Sequence, residues 1–185
     1  IRVSVIYSAK MDAISGSVGT GPNEPGSPSA HKPAKMVEFL KKNPVDGLEL
    51  EFIEPHAMTL DDFYRVHDKQ FVDDVLALKR KNGFDTLSQS VCDSLPYTNG
   101  SMYTAAKWAR TQIPAVALCS GFHHAEYEKA MGFCTFNGLM VTAARLVAEG
   151  FRRVAIVDCD HHYGNGTDNI LDQMQKILGT GSFQS

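Results

Sequence analysis

The chain has 185 residues, enough for one domain with a substantial core, and a formal net charge of -3 with a pI near 6.2. A 43% hydrophobic and 21% charged composition fits an ordinary globular domain, and no global basic field is present to attract nucleic acid. No apolar run is long enough for a membrane span, and Ile1 is not followed by a basic region and an apolar signal core. Cys92, Cys119, Cys134 and Cys159 are widely spaced without a Cys-x-x-Cys, which predicts reduced thiols and a cytoplasmic setting, with the nucleus left open.

Arg2–Tyr7 reads as a first strand. Ser15–Pro33 is rich in Gly, Pro and Ser and reads as a long loop ending at His31, to which no role is assigned. Ala34–Lys42 carries Met36, Val37 and Leu40 opposite lysines, predicting a short amphipathic helix, and Leu48–Ile53 alternates as a half-exposed strand does. Thr59 and Asp62 have capping-box spacing, and Phe71, Val72, Val75 and Leu76 make a helical stripe. His67 between them reads as a satisfied structural histidine. Asn82–Asn99, with Pro96 and Asn99-Gly100, reads as a loop, with Ser101 capping a helix through Met102, Ala105, Ala106 and Ala109. Ala115–Cys119 predicts a short apolar strand, and Leu139, Ala143, Leu146 and Val147 a helix closed by Gly150. Val154–Val157 then reads as a strand buried on both faces, completing the strand–helix–strand order of a parallel sheet.

Two stretches carry the chemistry. After Val157 comes Asp158-Cys159-Asp160-His161-His162-Tyr163-Gly164-Asn165-Gly166-Thr167. On an extended chain Asp158, Asp160 and His162 project to one side, at the strand end where open α/β sheets bind ligands. Two carboxylates so close need a cation or hydrogen bonds, and with an imidazole they form a donor set for a divalent metal. Asn and Gly also make turns, so a strand-ending turn is the competing reading. After Ala115–Cys119 comes Ser120-Gly121-Phe122-His123-His124-Ala125, followed by Met131–Asn137. Of seven histidines, four fall in these two pairs, and parallel strands would bring the two ends to one edge. An imidazole beside a metal can act as general base, and a neighbouring carboxylate can hold the tautomer of another.

Gly-Phe-His-His-Ala, Gly-Phe-Cys-Thr-Phe-Asn and Asp-Cys-Asp-His-His-Tyr-Gly-Asn-Gly-Thr, in that order, resemble the zinc-dependent histone deacetylase and acetylpolyamine amidohydrolase superfamily. Phe63–His67 and the helix after it match more loosely. The resemblance implies a three-layer α/β/α domain around a mostly parallel sheet, as in the arginase/deacetylase fold, and one partial catalytic domain over residues 1–185. It implies Asp160 and His162 as zinc ligands, and His123 and His124 as the tandem histidines, with His124 the base. It further implies Asp158 as the partner of His123, Asn165 at the position paired with the second histidine, and Gly132 and Phe133 as channel wall. Carbonyls around Asp158–His162 match a monovalent-cation site of some relatives. The implied substrate is an acetylated lysine side chain or an acetylpolyamine.

His161 and Tyr163 depart from the family pattern, which has an apolar residue before the ligand histidine and a second histidine after it. The spacing Asp-x-Asp-x-His keeps His162 as the ligand. The family's third zinc ligand, an Asp, and its transition-state donor, usually a Tyr, come later than Ser185, so the expectation is a domain cut short at its C-terminus. Such a chain would self-associate or pair with a missing C-terminal portion. An arginase-like binuclear manganese hydrolase, and an incomplete domain that binds metal or a partner without turnover, are the alternatives.

Overall fold

The computed structural model describes residues 1–16, 26–111 and 113–178. Three strands, β1 (Arg2–Ile6), β2 (Glu49–Ile53) and β3 (Ala115–Ala117), form a parallel sheet in the order β2-β1-β3. Ile6 lies opposite Ile53 on one side and Ala117 on the other. Around the sheet run α1 (Lys32–Lys42), α2 (Leu60–Tyr64), α3 (Lys69–Leu76), α4 (Gln89–Trp108), α5 (Gly138–Ala148) and α6 (Asn165–Leu178). This is the α/β architecture expected. Part of the Ser15–Pro33 loop, residues 17–25, lies outside the described residues, and its far end is a 3-10 turn, Pro28–His31. His31 there pairs with Asp12 at 3.1 Å.

Local chemistry explains most element ends. Thr59 and Asp62 form a reciprocal capping box at α2, Asp68 accepts from the Phe71 N–H at α3, and Asn137 accepts from the Met140 N–H at α5. Past α5, Gly150 turns the chain and the Phe151 N–H reaches back to the Leu146 carbonyl. The core gathers between α2, α3, α4 and α5, with Phe63, Phe71 and Phe136 in contact around His67. Asp62, buried at the start of α2, is bound by Arg145 of α5 at 2.7 Å, which satisfies a carboxylate that would otherwise be costly to bury.

Two expectations fail here. Asn82–Asn99 is not all loop: α4 begins at Gln89, capped by Ser88 rather than Ser101, and continues through Pro96, Asn99 and Gly100. Pro96 lacks an N–H to give the helix, but its carbonyl accepts from the Met58 N–H. Gly100 is there for approach, not for a turn, since a Cβ would stand 1.8 Å from the His56 carbonyl oxygen. Tertiary packing thus overrides the local turn signal.

The second correction concerns Val154–Asp160. The segment is not a strand, and it joins no ladder among the described residues. Nor is it buried on both faces, because Val157 is 84% exposed. An apolar β-branched run becomes a strand only beside a neighbour that takes its N–H and C=O groups. Here it lies over α5 and α6, bordering an open cleft of about 1130 Å³ lined by Met140, Ala143, Val147, Ile156 and Leu171, with Asp158, Asp160 and His162 also on its wall.

Candidate active site

The two predicted clusters meet, although no ladder joins them. Hydrogen bonds join them. His123 Nδ1–H donates to Asp158 Oδ2 at 2.9 Å, His124 Nδ1–H donates to Asn165 Oδ1 at 2.6 Å, and the Gly166 N–H donates to the His123 carbonyl at 2.8 Å. The two imidazoles lie side by side with ring centroids 4.1 Å apart, and His124 stands 6.0 Å from the His162 ring. Each Nδ1 faces an oxygen, so each Nε2 keeps its lone pair. That is the tautomer a base or a metal ligand needs.

Along the extended run, each carboxylate accepts the N–H two residues ahead. Asp158 Oδ1 takes the Asp160 N–H at 3.0 Å, and Asp160 Oδ1 takes the His162 N–H at 2.8 Å. This keeps Asp158, Asp160 and His162 on one side. The Asp160 N–H, and after it His123, hold the Asp158 carboxyl below its ordinary range. The His162 N–H and then its ring do the same for Asp160.

Asp160 Oδ1 and His162 Nδ1 lie 3.1 Å apart. Two ligands each about 2.0–2.1 Å from a tetrahedral zinc ion would be roughly 3.3 Å from one another. The pair therefore fits two corners of such a site, one hard oxygen and one imidazole nitrogen. Among the described residues no group of three or more His, Cys, Asp or Glu side chains gathers closely enough to enclose a metal ion. His161, one position earlier, makes a ring contact with His162 at 5.5 Å and none with Asp160.

Gly132 and Phe133 sit at the tip of a tight turn closed by paired hydrogen bonds between Met131 and Cys134. Both have positive φ, +59° and +64°, as the two central residues of a type I′ turn require. Gly132 is obligatory for a second reason: a Cβ would lie 2.5 Å from the His124 ring. Phe133 occupies a backbone region that costs a bulky residue of order 1 kcal/mol or more. Its N–H is held by the Gly83 carbonyl at 2.9 Å, and its exposed ring leans on Phe84. Cys134 behind it is buried, and burial pushes its thiol up to about 11, so it remains protonated.

His67 has the structural role expected of it, and a larger share in the site than its motif suggested. It is buried, and its Nε2 accepts from the Asn137 N–H at 2.9 Å. An N–H can only donate, so Nδ1 carries the proton, which goes to the carbonyls of Glu126 and Tyr127 at 2.9 and 3.2 Å. The ring thereby ties the loop after His124 to the start of α5. Burial holds its pKa down at about 4. The unfolded chain therefore takes up a proton near pH 6.5 that the folded one refuses until about pH 4. The stability tied to neutral His67 is whole above pH 6.5 and is lost as pH falls through that window, by on the order of 3 kcal/mol. Urea unfolding of wild type and His67→Gln at several pH values is expected to show the gap between them narrowing as pH falls to 4; a constant gap contradicts the assignment.

Sequence reasoning did not single out Glu126, Met131 or Thr167. Glu126 Oε1 accepts from Asn165 Nδ2 at 2.9 Å, Met131 Sδ lies 3.7 Å from the same nitrogen, and Thr167 Oγ1 binds Asn137 Nδ2. The only available signal was a carboxylate two residues past His124.

A parallel α/β sheet with a His-His pair following its edge strand β3, hydrogen-bonded to an Asp-x-Asp-x-His run, invites comparison with known proteins, and that comparison gives its family. A model of the histone deacetylase domain matches residues 27–185, and the chain belongs to that family. It is 35% identical over 133 residues to histone deacetylase 18 of Arabidopsis thaliana, covering 61% of this chain and 19% of that protein. It is 29% identical over 156 residues to a probable deacetylase of Archaeoglobus fulgidus, covering 80% of this chain and 44% of that one. The crystal structure of the HDA15 HD domain superposes with a TM-score of 0.73 at 25% identity, over 92% of this chain and 50% of that one. The chain thus spans half or less of the length of these relatives.

Proposed function

We propose that the chain carries the tandem-histidine and metal-ligand part of a zinc-dependent deacetylase site acting on acetyl-lysine side chains or acetylated polyamines. The observation that carries this reading is the pair of imidazoles, each with Nδ1 on an oxygen acceptor, set beside the 3.1 Å Asp160–His162 donor pair. Asp160 and His162 would hold Zn²⁺ together with donors beyond these two; when bound, the metal supplies Lewis-acid polarisation of the acyl carbonyl and a more acidic water. His124 Nε2 takes the proton of the attacking water as its oxygen adds to the carbonyl carbon. The same proton then passes to the leaving nitrogen as the C–N bond breaks, giving acetate and free amine. His123, anchored on Asp158, orients and stabilises the charge that builds beside it. Gly132 and Phe133 would flank the acylated chain, and carbonyls near Asp158–His162 could take a monovalent cation.

The test is zinc content and acetate release by the full-length protein on an acetyl-lysine peptide and on N-acetylputrescine, with and without a chelator. Chelator-sensitive release from either substrate is expected. No release, or release indifferent to chelation, overturns the reading in favour of a metal- or partner-binding domain. With no close third His, Cys, Asp or Glu beside Asp160 and His162 among the described residues, the 185 residues alone are expected to hold zinc weakly.

A further inference from the structure

We propose that Glu126 is a positioning residue which, acting through Asn165, fixes the tautomer of His124. The functional meaning of this rests on the reading of His124 as general base; the tautomer itself does not.

His123 and His124 face different partners. His123 meets a carboxylate, which can only accept, so Nδ1 of His123 must carry the proton. His124 meets an amide, which has an acceptor end and a donor end of nearly the same shape. If the Asn165 side chain presented its NH₂, His124 Nδ1 would have to accept, the proton would move to Nε2, and the ring could no longer take a proton there. Asn165 by itself does not choose between these states.

Glu126 makes the choice. A carboxylate can only accept, and its Oε1 stands 2.9 Å from Asn165 Nδ2. The NH₂ group is drawn to it, with Met131 Sδ at 3.7 Å as the second contact. Oδ1 is thereby turned to His124 Nδ1, at 2.6 Å. Turning the amide over would set the Oδ1 dipole against a carboxylate and force His124 into the Nε2–H tautomer. Both groups are half-buried, where such a mismatch costs more than it does in water.

Glu126 is itself held. Its carbonyl accepts from buried His67, and its N–H donates to the Lys129 carbonyl at 2.9 Å. Its carboxylate is therefore presented from a pinned backbone. A three-residue relay from Glu126 to Asn165 to His124 does for the second histidine what Asp158 does directly for the first.

The test reads the tautomer. Protein labelled with ¹⁵N-histidine is examined by long-range ¹H–¹⁵N correlation at a pH where the imidazoles are neutral, with His123 as internal control. Wild type is expected to show His124 with the proton on Nδ1. Glu126→Ala should shift His124 to a mixture in which the Nε2–H form rises several-fold, while His123 keeps its state. Glu126→Gln, which preserves shape but can present either end, should give an intermediate mixture, and it serves if the alanine variant does not fold. The double substitution Glu126→Ala with Asn165→Asp should restore a single Nδ1–H tautomer, because an acceptor-only group then faces the ring. In the full-length protein kcat should fall and recover in step with the tautomer, with KM little changed. A wild-type tautomer in both single variants, or no recovery in the double, overturns the proposal. An inactive wild type with the expected tautomer shifts would instead sink the deacetylase reading and leave this one standing.

Discussion

Asp160→Ala is expected to remove zinc from the full-length protein. The substitution deletes Oδ1, the oxygen 3.1 Å from His162 Nδ1, and with it the acceptor of the His162 N–H. Losing a partner that merely orients a ligand costs roughly 10–100-fold in metal affinity. Losing a ligand outright should exceed that range, and should also loosen the His162 backbone. His162→Ala should match it. His161→Ala should cost far less, since it is the His162 ring, not the His161 ring, that meets Asp160 Oδ1. Competition with a chromogenic chelator gives the affinities. Unchanged zinc binding in Asp160→Ala would sink the ligand assignment, and equal losses at positions 161 and 162 would mean that the ligand register is off by one.

What the sequence revealed and what it hid divide along a physical line. The two clusters that meet were legible because they are packed into short segments: His123-His124 follow Gly121-Phe122, and His161-His162 follow Asp160 just ahead of Gly164. The capping box at Thr59 and the stripe on α3 were legible for the same reason, both being set by neighbours within one helical turn. Gly100 and Pro96 misled because their causes lie far along the chain, at His56 and Met58. Val154–Val157 misled in the opposite way. Its residues suit a buried strand, but strand character also needs a hydrogen-bonding neighbour, and none stands beside it among the described residues. Glu126 was hidden because a single carboxylate after a motif is ordinarily a solvated surface charge, and only the fold sets Asn165 against it.

His124→Ala should leave zinc in place and lower kcat by ~10²–10⁴-fold, the usual contribution of a positioned general base. That corresponds to about 3–5 kcal/mol of transition-state stabilisation. The ring donates nothing to the Asp160–His162 pair, so metal content has no reason to change. His123→Ala should impair the rate as well, because it strands the Asp158 carboxylate and removes the neighbour packed 4.1 Å from His124. The expected difference between the two variants rests on position: the His124 ring stands 6.0 Å from the His162 ring, and Gly132 has no side chain to crowd it. The discriminating measurement is the kcat profile of each variant between about pH 6 and 9 alongside zinc content. A His124→Ala enzyme that kept the wild-type rate throughout would move the base to His123 or to another group, and the relay from Glu126 would then serve packing rather than proton transfer.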